Sequence, residues 1–179
     1  MKRSQLEHII RAAGGIAQDN EIIIIGSQAV LGQFPNAPSV LLQSMEVDLF
    51  PKNKPELADL IDGSIGELSK FHQIFGYYAH GVQKETSILP DSWEKRLIPI
   101  KSPNTRGIIG WCLEIHDLVL SKYAASRDRD IEFNKEIIRH KMVQENILME
   151  RITLLPLKKA DKERIIKNIL AAFSLIREK

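Results

Sequence analysis

The chain begins with an amphipathic pattern and continues into a fully apolar run. Apolar side chains recur three or four positions apart at Leu6, Ile9, Ile10 and Ala13. This spacing predicts a helix with one buried face that ends near Gly14. The next segment, residues 21–25, is short and is continuously β-branched and apolar after Glu21. Such a run predicts a strand that is covered on both faces.

Further apolar segments predict more strands, and the last third of the chain reads as helical. Strands are expected near residues 44–50, 77–82, 93–100 and 108–113. Helices are expected over residues 56–68, 117–127, 130–149 and 160–177. We therefore predict an α+β (α/β-like) fold, with a mixed sheet flanked by helices in residues 1–114 and a C-terminal helical bundle in residues 115–179 packed on it.

Composition narrows the class of protein. Of the 179 residues, 44% are hydrophobic and 27% are charged, and 25 basic residues against 23 acidic ones give a formal charge of +2. These proportions are typical of a globular domain, and so small a charge is no argument for nucleic-acid binding. No apolar run reaches the roughly 18–20 residues of a membrane span. With a lone cysteine, Cys112, and no expected signal segment, we predict a cytoplasmic protein that does not enter a membrane.

Two carboxylates, Glu46 and Asp48, flank Val47 in the second predicted strand. Alternate residues of a strand point to one face, roughly 6–7 Å apart along it, so both acids face a cleft while Val47 faces the core. A divalent cation such as Mg²⁺ takes carboxylate oxygens and relieves the repulsion between neighbouring acids. The pattern alone more often indicates an ordinary strand with a solvated acidic face.

Gly26 and Ser27 follow the first predicted strand. A glycine–serine turn that leads from a strand into a helix offers backbone N–H groups and a hydroxyl to phosphate oxygens. By itself the pattern also fits a simple helix cap with Ser27 as the capping residue. In combination with Glu46 and Asp48, it predicts a site for a nucleotide and its metal ion.

The segment that starts at Lys122 contains a third group of polar residues. At 100° per residue of helix, one face contains Lys122, Ser126, Arg129 and Phe133, with Asp130 on its flank. Lys122, Arg127 and Arg129 are candidates to reach phosphates, and Asp130 to orient a base or act on a proton. An exposed helix with local ion pairs is the alternative interpretation.

The histidines and the cysteine predict no site. Four histidines are too widely separated for a metal motif and are interpreted as packed or surface residues, namely His72, His80, His116 and His140. Cys112 lies between Trp111 and Leu113, so we expect a buried thiol rather than a nucleophile.

The combination of motifs resembles the nucleotidyltransferase superfamily, whose signature is a Gly-Ser turn followed by a strand with two acids separated by one residue. The matching residues here are Gly26, Ser27, Glu46 and Asp48. The segments 26–32 and 44–51 resemble an uncharacterised bacterial nucleotidyltransferase-like domain family. Residues 122–130 resemble the lysine and Arg-x-x-x-Asp region of abortive-infection (type IV) toxin nucleotidyltransferases.

The resemblance implies transfer of a nucleoside monophosphate from an NTP to an acceptor hydroxyl, with pyrophosphate as the leaving group. It implies that Mg²⁺ (or Mn²⁺) binds to Glu46 and Asp48. The implied catalytic residues are Glu46, Asp48, Lys122 and Asp130. The implied nucleotide-binding residues are Gly26, Ser27, Lys122, Arg127 and Arg129.

The resemblance also implies partners and shows two departures. The implied partners are an NTP, an RNA or protein acceptor and, for a member of a toxin–antitoxin pair, an antitoxin-like protein. The gap between turn and acids is long and contains Pro35 and Pro38, and the strand near residues 76–82 lacks the third acid that many active members carry. A catalytically degenerate nucleotide-binding module that acts through a protein partner is therefore the alternative function.

Overall fold

The computed structural model describes residues 1–177 of the chain. Contacts between Cα atoms divide the chain into two compact units. The first unit comprises Met1–Thr86 and Arg96–Glu114, and the second comprises Ser87–Lys95 and the chain from Ile115 onward. The first unit contains a mixed sheet with helices, and the second is helical. The predicted α+β class is confirmed.

The first unit is built on a five-stranded sheet. Its helices and strands are α1 (Arg3–Ala17), β1 (Glu21–Ile24), α2 (Val30–Gln33), β2 (Glu46–Pro51), α3 (Ala58–Ile65), α4 (Lys70–Phe75), β3 (Tyr78–Gly81), β4 (Ile98–Ile100) and β5 (Ile109–Cys112). The strand order is β3-β2-β1-β5-β4. Strand β1 runs antiparallel to β2 and parallel to β5. Strand β3 runs parallel to β2, and β4 runs antiparallel to β5.

The core lies around the central strand β1. Residues Ile22–Ile24 are at most 4% exposed, as expected for a strand that is covered on both faces. Helix α1 buries its apolar face completely, including Ile10. A Cβ atom on Gly110 would lie only 2.3 Å from Cδ1 of Ile10, so α1 lies directly on β5 at that glycine. The absence of a side chain at Gly110 lets helix and sheet approach closely.

Strand β2 shows the predicted alternation. Val47 and Leu49 are fully buried on the face of the sheet that contacts α1 and α3. Glu46 and Asp48 are half-buried and point to the opposite face, because successive side chains of a strand alternate between faces. The packing of the apolar positions therefore determines which way the two acids point.

The second unit consists of packed helices. They are α5 (Ile115–Ala125), α6 (Asp128–Arg139), α7 (Glu145–Arg151) and α8 (Lys159–Arg177). The amide of Asn134 on α6 donates to the Val119 carbonyl on α5 at 3.0 Å, and Arg151 on α7 pairs with the fully buried Asp117 of α5 at 3.0 Å. Among residues 1–177, no helix combines the length and the hydropathy that crossing a membrane requires.

Two element predictions need correction. The expected strand over residues 93–100 is wrong in its first half, because Trp93–Arg96 forms a 3₁₀ turn after Ser92, whose φ of 61° redirects the chain. Only Ile98–Ile100 pairs with β5, as an edge strand that tolerates Pro99. The helical pattern of residues 130–149 is divided, since α6 ends at Arg139 and Lys141 adopts a left-handed conformation with φ of 54°.

Candidate metal and nucleotide site

The two carboxylates of β2 are accessible from solvent. The side chain of Glu46 is 34% exposed and that of Asp48 is 30% exposed. Because both acids are in contact with solvent, an ion from solution can reach them. The geometry agrees with the predicted pair of acids on one face of a strand.

Gly26 brings the Gly-Ser turn against the second acid. A Cβ atom on Gly26 would lie 2.0 Å from Oδ2 of Asp48, which is closer than any real side chain tolerates. The backbone of Gly26 is extended, with φ of −83° and ψ of −172°, so it is the space left by Asp48 and not the conformation that favours a glycine here. The N–H of Ile25 donates to the Asp48 carbonyl at 3.1 Å. The two motifs that the sequence separates by some twenty residues are therefore adjacent.

Ser27 does not act as the predicted helix cap. It is the first residue of a 3₁₀ turn, Ser27–Ala29, whose N-cap is Gly26, and its side chain accepts no capping hydrogen bond. The turn leads directly into α2. Within the described part of the chain the Ser27 hydroxyl has no hydrogen-bond partner, so it remains available to a ligand.

His80 stands beside the two acids and is the residue that the sequence interpretation missed. Strand β3 pairs with β2 so that His80 is opposite Asp48. Its Nδ1 lies 2.9 Å from Oδ1 of Asp48 and 3.7 Å from Oε1 of Glu46. One ligand atom from each of the three side chains can be chosen so that all lie within 4.8 Å of one another. Only the pairing of β2 with β3 reveals this cluster, since His80 is 32 residues away from Asp48.

Tyr78 orients the first acid. It pairs with Glu46 across the same strands, and its hydroxyl donates to Oε2 of Glu46 at 2.9 Å. Burial, together with the hydrogen bond and charge of Glu46, raises the pKa of Tyr78 to about 12. The phenol therefore stays protonated and remains a donor, which leaves Oε1 of Glu46 turned toward His80.

Burial and the neighbouring charges shift the pKa values of Asp48 and His80. Burial is the main cause that raises the pKa of Asp48, and the charge of Glu46 raises it further against the opposing hydrogen bond with His80. For His80, burial is the largest single effect and lowers the pKa. The hydrogen bond to Asp48 and the charges of both acids outweigh it, so the pKa of His80 is raised overall. The acids repel one another and attract a cation, as expected at an ion-binding site.

The donor set of this cluster fits a divalent metal ion. Two carboxylates and one imidazole supply oxygen and nitrogen ligands of the kinds that bind divalent metals in proteins. The side chain of His80 is 49% exposed, so all three groups are open to solvent. Tyr78 and the backbone of Gly26 form the surrounding contacts that hold the two acids in place.

The predicted basic segment lies in the second unit. Helix α5 ends at Ala125 and Ser126 adopts φ of 56°, so the segment lies at the junction of two helices and does not form one helical face. The turn nevertheless brings Nζ of Lys122 to 2.7 Å from Oδ1 of Asp130, with side chains only 14% and 7% exposed. The same ammonium lies 4.7 Å from the centre of the Phe133 ring. Lys122 and Asp130 thus form a partly buried ion pair.

Arg127 and Arg129 differ from Lys122 in their surroundings. Both are exposed, with Arg127 directly before α6 and Arg129 in its first turn. Neither guanidinium forms an ion pair with another residue in the range 1–177. Both charges therefore remain available for an external anion.

Cys112 is buried, as predicted. It has no exposed surface, and burial raises the pKa of its thiol to about 12. Its Cβ packs against the backbone of Gly32, where a side chain would come within 2.6 Å. The thiol is a core group rather than a nucleophile.

Comparison with known proteins identifies the family. Neither the curated proteins nor the solved structures contain a significant match to this chain. One family model, described as "Nucleotidyltransferase of unknown function (DUF6036)", matches residues 4–178. This match covers nearly the entire chain, including the Gly-Ser turn and both acids of β2. The chain therefore belongs to this family of nucleotidyltransferases of unknown function.

Proposed function

We propose that this protein is a metal-dependent nucleotidyltransferase that moves a nucleoside monophosphate from an NTP to an acceptor hydroxyl, with release of pyrophosphate. One observation carries the proposal: Glu46 and Asp48 lie side by side on the solvent-facing side of β2, with the Gly26 turn directly against Asp48. Family membership supports the same class of reaction.

The metal ion is assigned to Glu46 and Asp48. A divalent ion such as Mg²⁺ or Mn²⁺, when bound there, supplies charge stabilisation for the triphosphate and its in-line displacement. Asp48 is held by its contacts with Gly26 and His80, and Glu46 by its contact with Tyr78. Such fixed carboxylates keep a ligand arrangement ready without reorganisation during the reaction.

The Gly26 turn and the basic segment are assigned to the nucleotide. Gly26 and Ser27 bind phosphate oxygens through backbone N–H groups and the Ser27 hydroxyl, which has no partner among the described residues. Lys122 pairs with the phosphates, and Asp130 orients Lys122 through the 2.7 Å contact. The exposed Arg127 and Arg129 are assigned to nucleotide binding as further positive charges.

The acceptor and the biological setting belong to the proposal as well. The resemblance of residues 122–130 to toxin nucleotidyltransferases supports an RNA or protein acceptor and an antitoxin-like protein partner. The overall charge of +2 supplies no additional argument for RNA. The identity of the acceptor therefore has to come from assays with candidate acceptors.

A second function is favoured by one observation. Strand β3 places a histidine, not a carboxylate, beside Asp48. A nucleotide-binding module without turnover that acts through a protein partner is the corresponding alternative. It predicts retention of NTP without release of pyrophosphate.

The two functions are separated by an assay that follows the release of labelled pyrophosphate from the four γ-labelled NTPs in the presence of Mg²⁺ or Mn²⁺. For an enzyme, Asp48→Asn should lower pyrophosphate release by at least about 100-fold, because it removes a ligand of the metal that stabilises the transition state. Asp59→Asn, at an exposed acid on α3, is the matched control and should leave the rate unchanged. Pyrophosphate release that does not respond to Asp48→Asn would rule out the proposed site.

A further inference from the structure

We infer that His80 is the third protein ligand of this metal site and that its imidazole makes the site prefer a first-row transition-metal ion over Mg²⁺. The inference deepens the proposed function, since it concerns the metal ion of the same site. It starts from the register of the sheet, which places His80 directly opposite Asp48.

The spacing of the three side chains suits a shared ion. Ligand atoms about 2.1 Å from one ion lie about 3.0 Å apart at octahedral angles and about 3.4 Å apart at tetrahedral angles. The observed separations from Nδ1 of His80 are 2.9 Å to Oδ1 of Asp48 and 3.7 Å to Oε1 of Glu46. They bracket both values, and one ligand atom from each of the three side chains lies within 4.8 Å of the others, so one ion can contact all three after movement of the side chains.

The contacts around the cluster leave the ligand atoms facing one another. The Tyr78 hydroxyl donates a hydrogen bond to Oε2 of Glu46 at 2.9 Å, and the backbone of Gly26 packs against Oδ2 of Asp48. The remaining oxygens, Oε1 of Glu46 and Oδ1 of Asp48, are those that lie near Nδ1 of His80. Each acid therefore has one oxygen held by the protein and one directed toward the ring.

The chemistry of the ligands determines the choice of ion. Mg²⁺ prefers oxygen ligands and gives up its water reluctantly, whereas imidazole is a good ligand for first-row transition metals. Affinity of such a mixed site rises from Mn²⁺ through Co²⁺ along the Irving–Williams order. An acid in place of His80 would supply a third oxygen and restore a site suited to Mg²⁺.

The test measures binding of Co²⁺, Mn²⁺ and Mg²⁺ to the full chain without nucleotide, by calorimetry and by the visible absorption of bound Co²⁺. We expect Co²⁺ to bind about 10–100-fold more tightly than Mg²⁺. His80→Asp should reduce that ratio by at least about tenfold and change the Co²⁺ spectrum, because a nitrogen ligand becomes an oxygen ligand. His140→Asp, at an exposed histidine of α6's C-terminal end, is the control and should leave ratio and spectrum unchanged.

The outcomes separate this inference from the proposed function. If the ratio of the Co²⁺ affinity to the Mg²⁺ affinity is the same in the original protein and in a folded His80→Asp variant, the role of His80 is overturned, but the metal site at the two acids is not. His80→Asn provides the same comparison without an added charge if His80→Asp unfolds. If none of the three ions binds, the metal site itself is overturned. Binding that depends on His80 without any consumption of NTP would support the inference and reject the enzyme.

Discussion

The contact between Gly26 and Asp48 gives the sharpest test of how the site is held. Replacement of Gly26 by alanine adds one methyl group, whose carbon would lie 2.0 Å from Oδ2, 2.8 Å from Cγ and 2.9 Å from Cβ of Asp48. Alanine adopts the extended conformation of residue 26 without strain. The substitution therefore acts first on the Asp48 side chain, which supplies the three atoms nearest to the added methyl group.

The expected displacement follows from the distances. Ordinary contact begins at 3.4 Å, so the carboxylate oxygen has to move by about 1.4 Å to relieve the overlap. Metal–ligand distances vary by only about 0.2 Å, so a displacement of this size removes the acid as a ligand. We expect Gly26→Ala to weaken binding of Mn²⁺ by about 10–100-fold. Because the Asp48 side chain is 30% exposed and can turn toward solvent, the cost in stability should be about 1 kcal/mol, at the low end for an overpacked site.

The assay combines calorimetric titration with Mn²⁺ and unfolding in urea. Gly15→Ala is the matched control, since Gly15 lies in helix α1 with no atom within 4 Å of the added Cβ. The control should raise the free energy of unfolding by about 1 kcal/mol through helix propensity and leave metal affinity unchanged. A Gly26→Ala protein that binds Mn²⁺ as tightly as the original would refute the idea that the turn positions Asp48.

Three further predictions concern charge and burial. Burial raises the pKa of Asp48, so the contribution of this side chain to stability is present below the ordinary pKa of 3.8 and is lost as pH rises through the higher pKa of the native state. Asp48→Asn should therefore raise the free energy of unfolding in urea, measured without metal, at pH 9 but not at pH 3. Lys122→Met leaves the buried Asp130 without its partner and should lower the free energy of unfolding by about 3–5 kcal/mol in the same assay. Lys135→Met, which removes an exposed ion pair, is the control and should lower it by less than about 0.5 kcal/mol. Similar losses of stability in the two variants would contradict the argument from burial. Cys112 should resist a thiol reagent in the native protein and react once urea unfolds it, and rapid native labelling would contradict its burial.

Local patterns were sufficient wherever a property depends on neighbours in the chain. The continuous apolar run ending at Ile25 predicted a central strand, and residues 22–24 are indeed buried on both faces. The alternation of Glu46, Val47 and Asp48 predicted which side chains face the core and which face solvent. Period-two alternation is a property of a single strand, so it can be read before the partners of that strand are known.

Segment boundaries depended on single residues whose conformation a periodic pattern does not report. Ser126 and Lys141 adopt left-handed backbone angles, with φ of 56° and 54°. Lys141 follows the end of α6 at Arg139, where the apolar pattern would continue the helix, and Ser126 follows the end of α5 at Ala125, two residues before the predicted end. The turn at Ser126 also forms the contact between Lys122 and Asp130 across two helices. The sequence indicated this polar segment, but its geometry depended on the turn.

The sequence by itself determined the class of fold, the strand of acids and the Gly-Ser turn, because each is encoded by residues close together in the chain. Only the tertiary structure decided that Gly26 lies against Asp48 and that His80 completes the cluster. The physical reason is strand pairing: β2 and β3 are joined through a helical segment, and their register depends on how α1 and α3 cover the apolar face of the sheet. Once Val47, Leu49 and Ala79 are buried on that face, the alternation of side chains along β3 turns His80 to the opposite face, where the two acids lie.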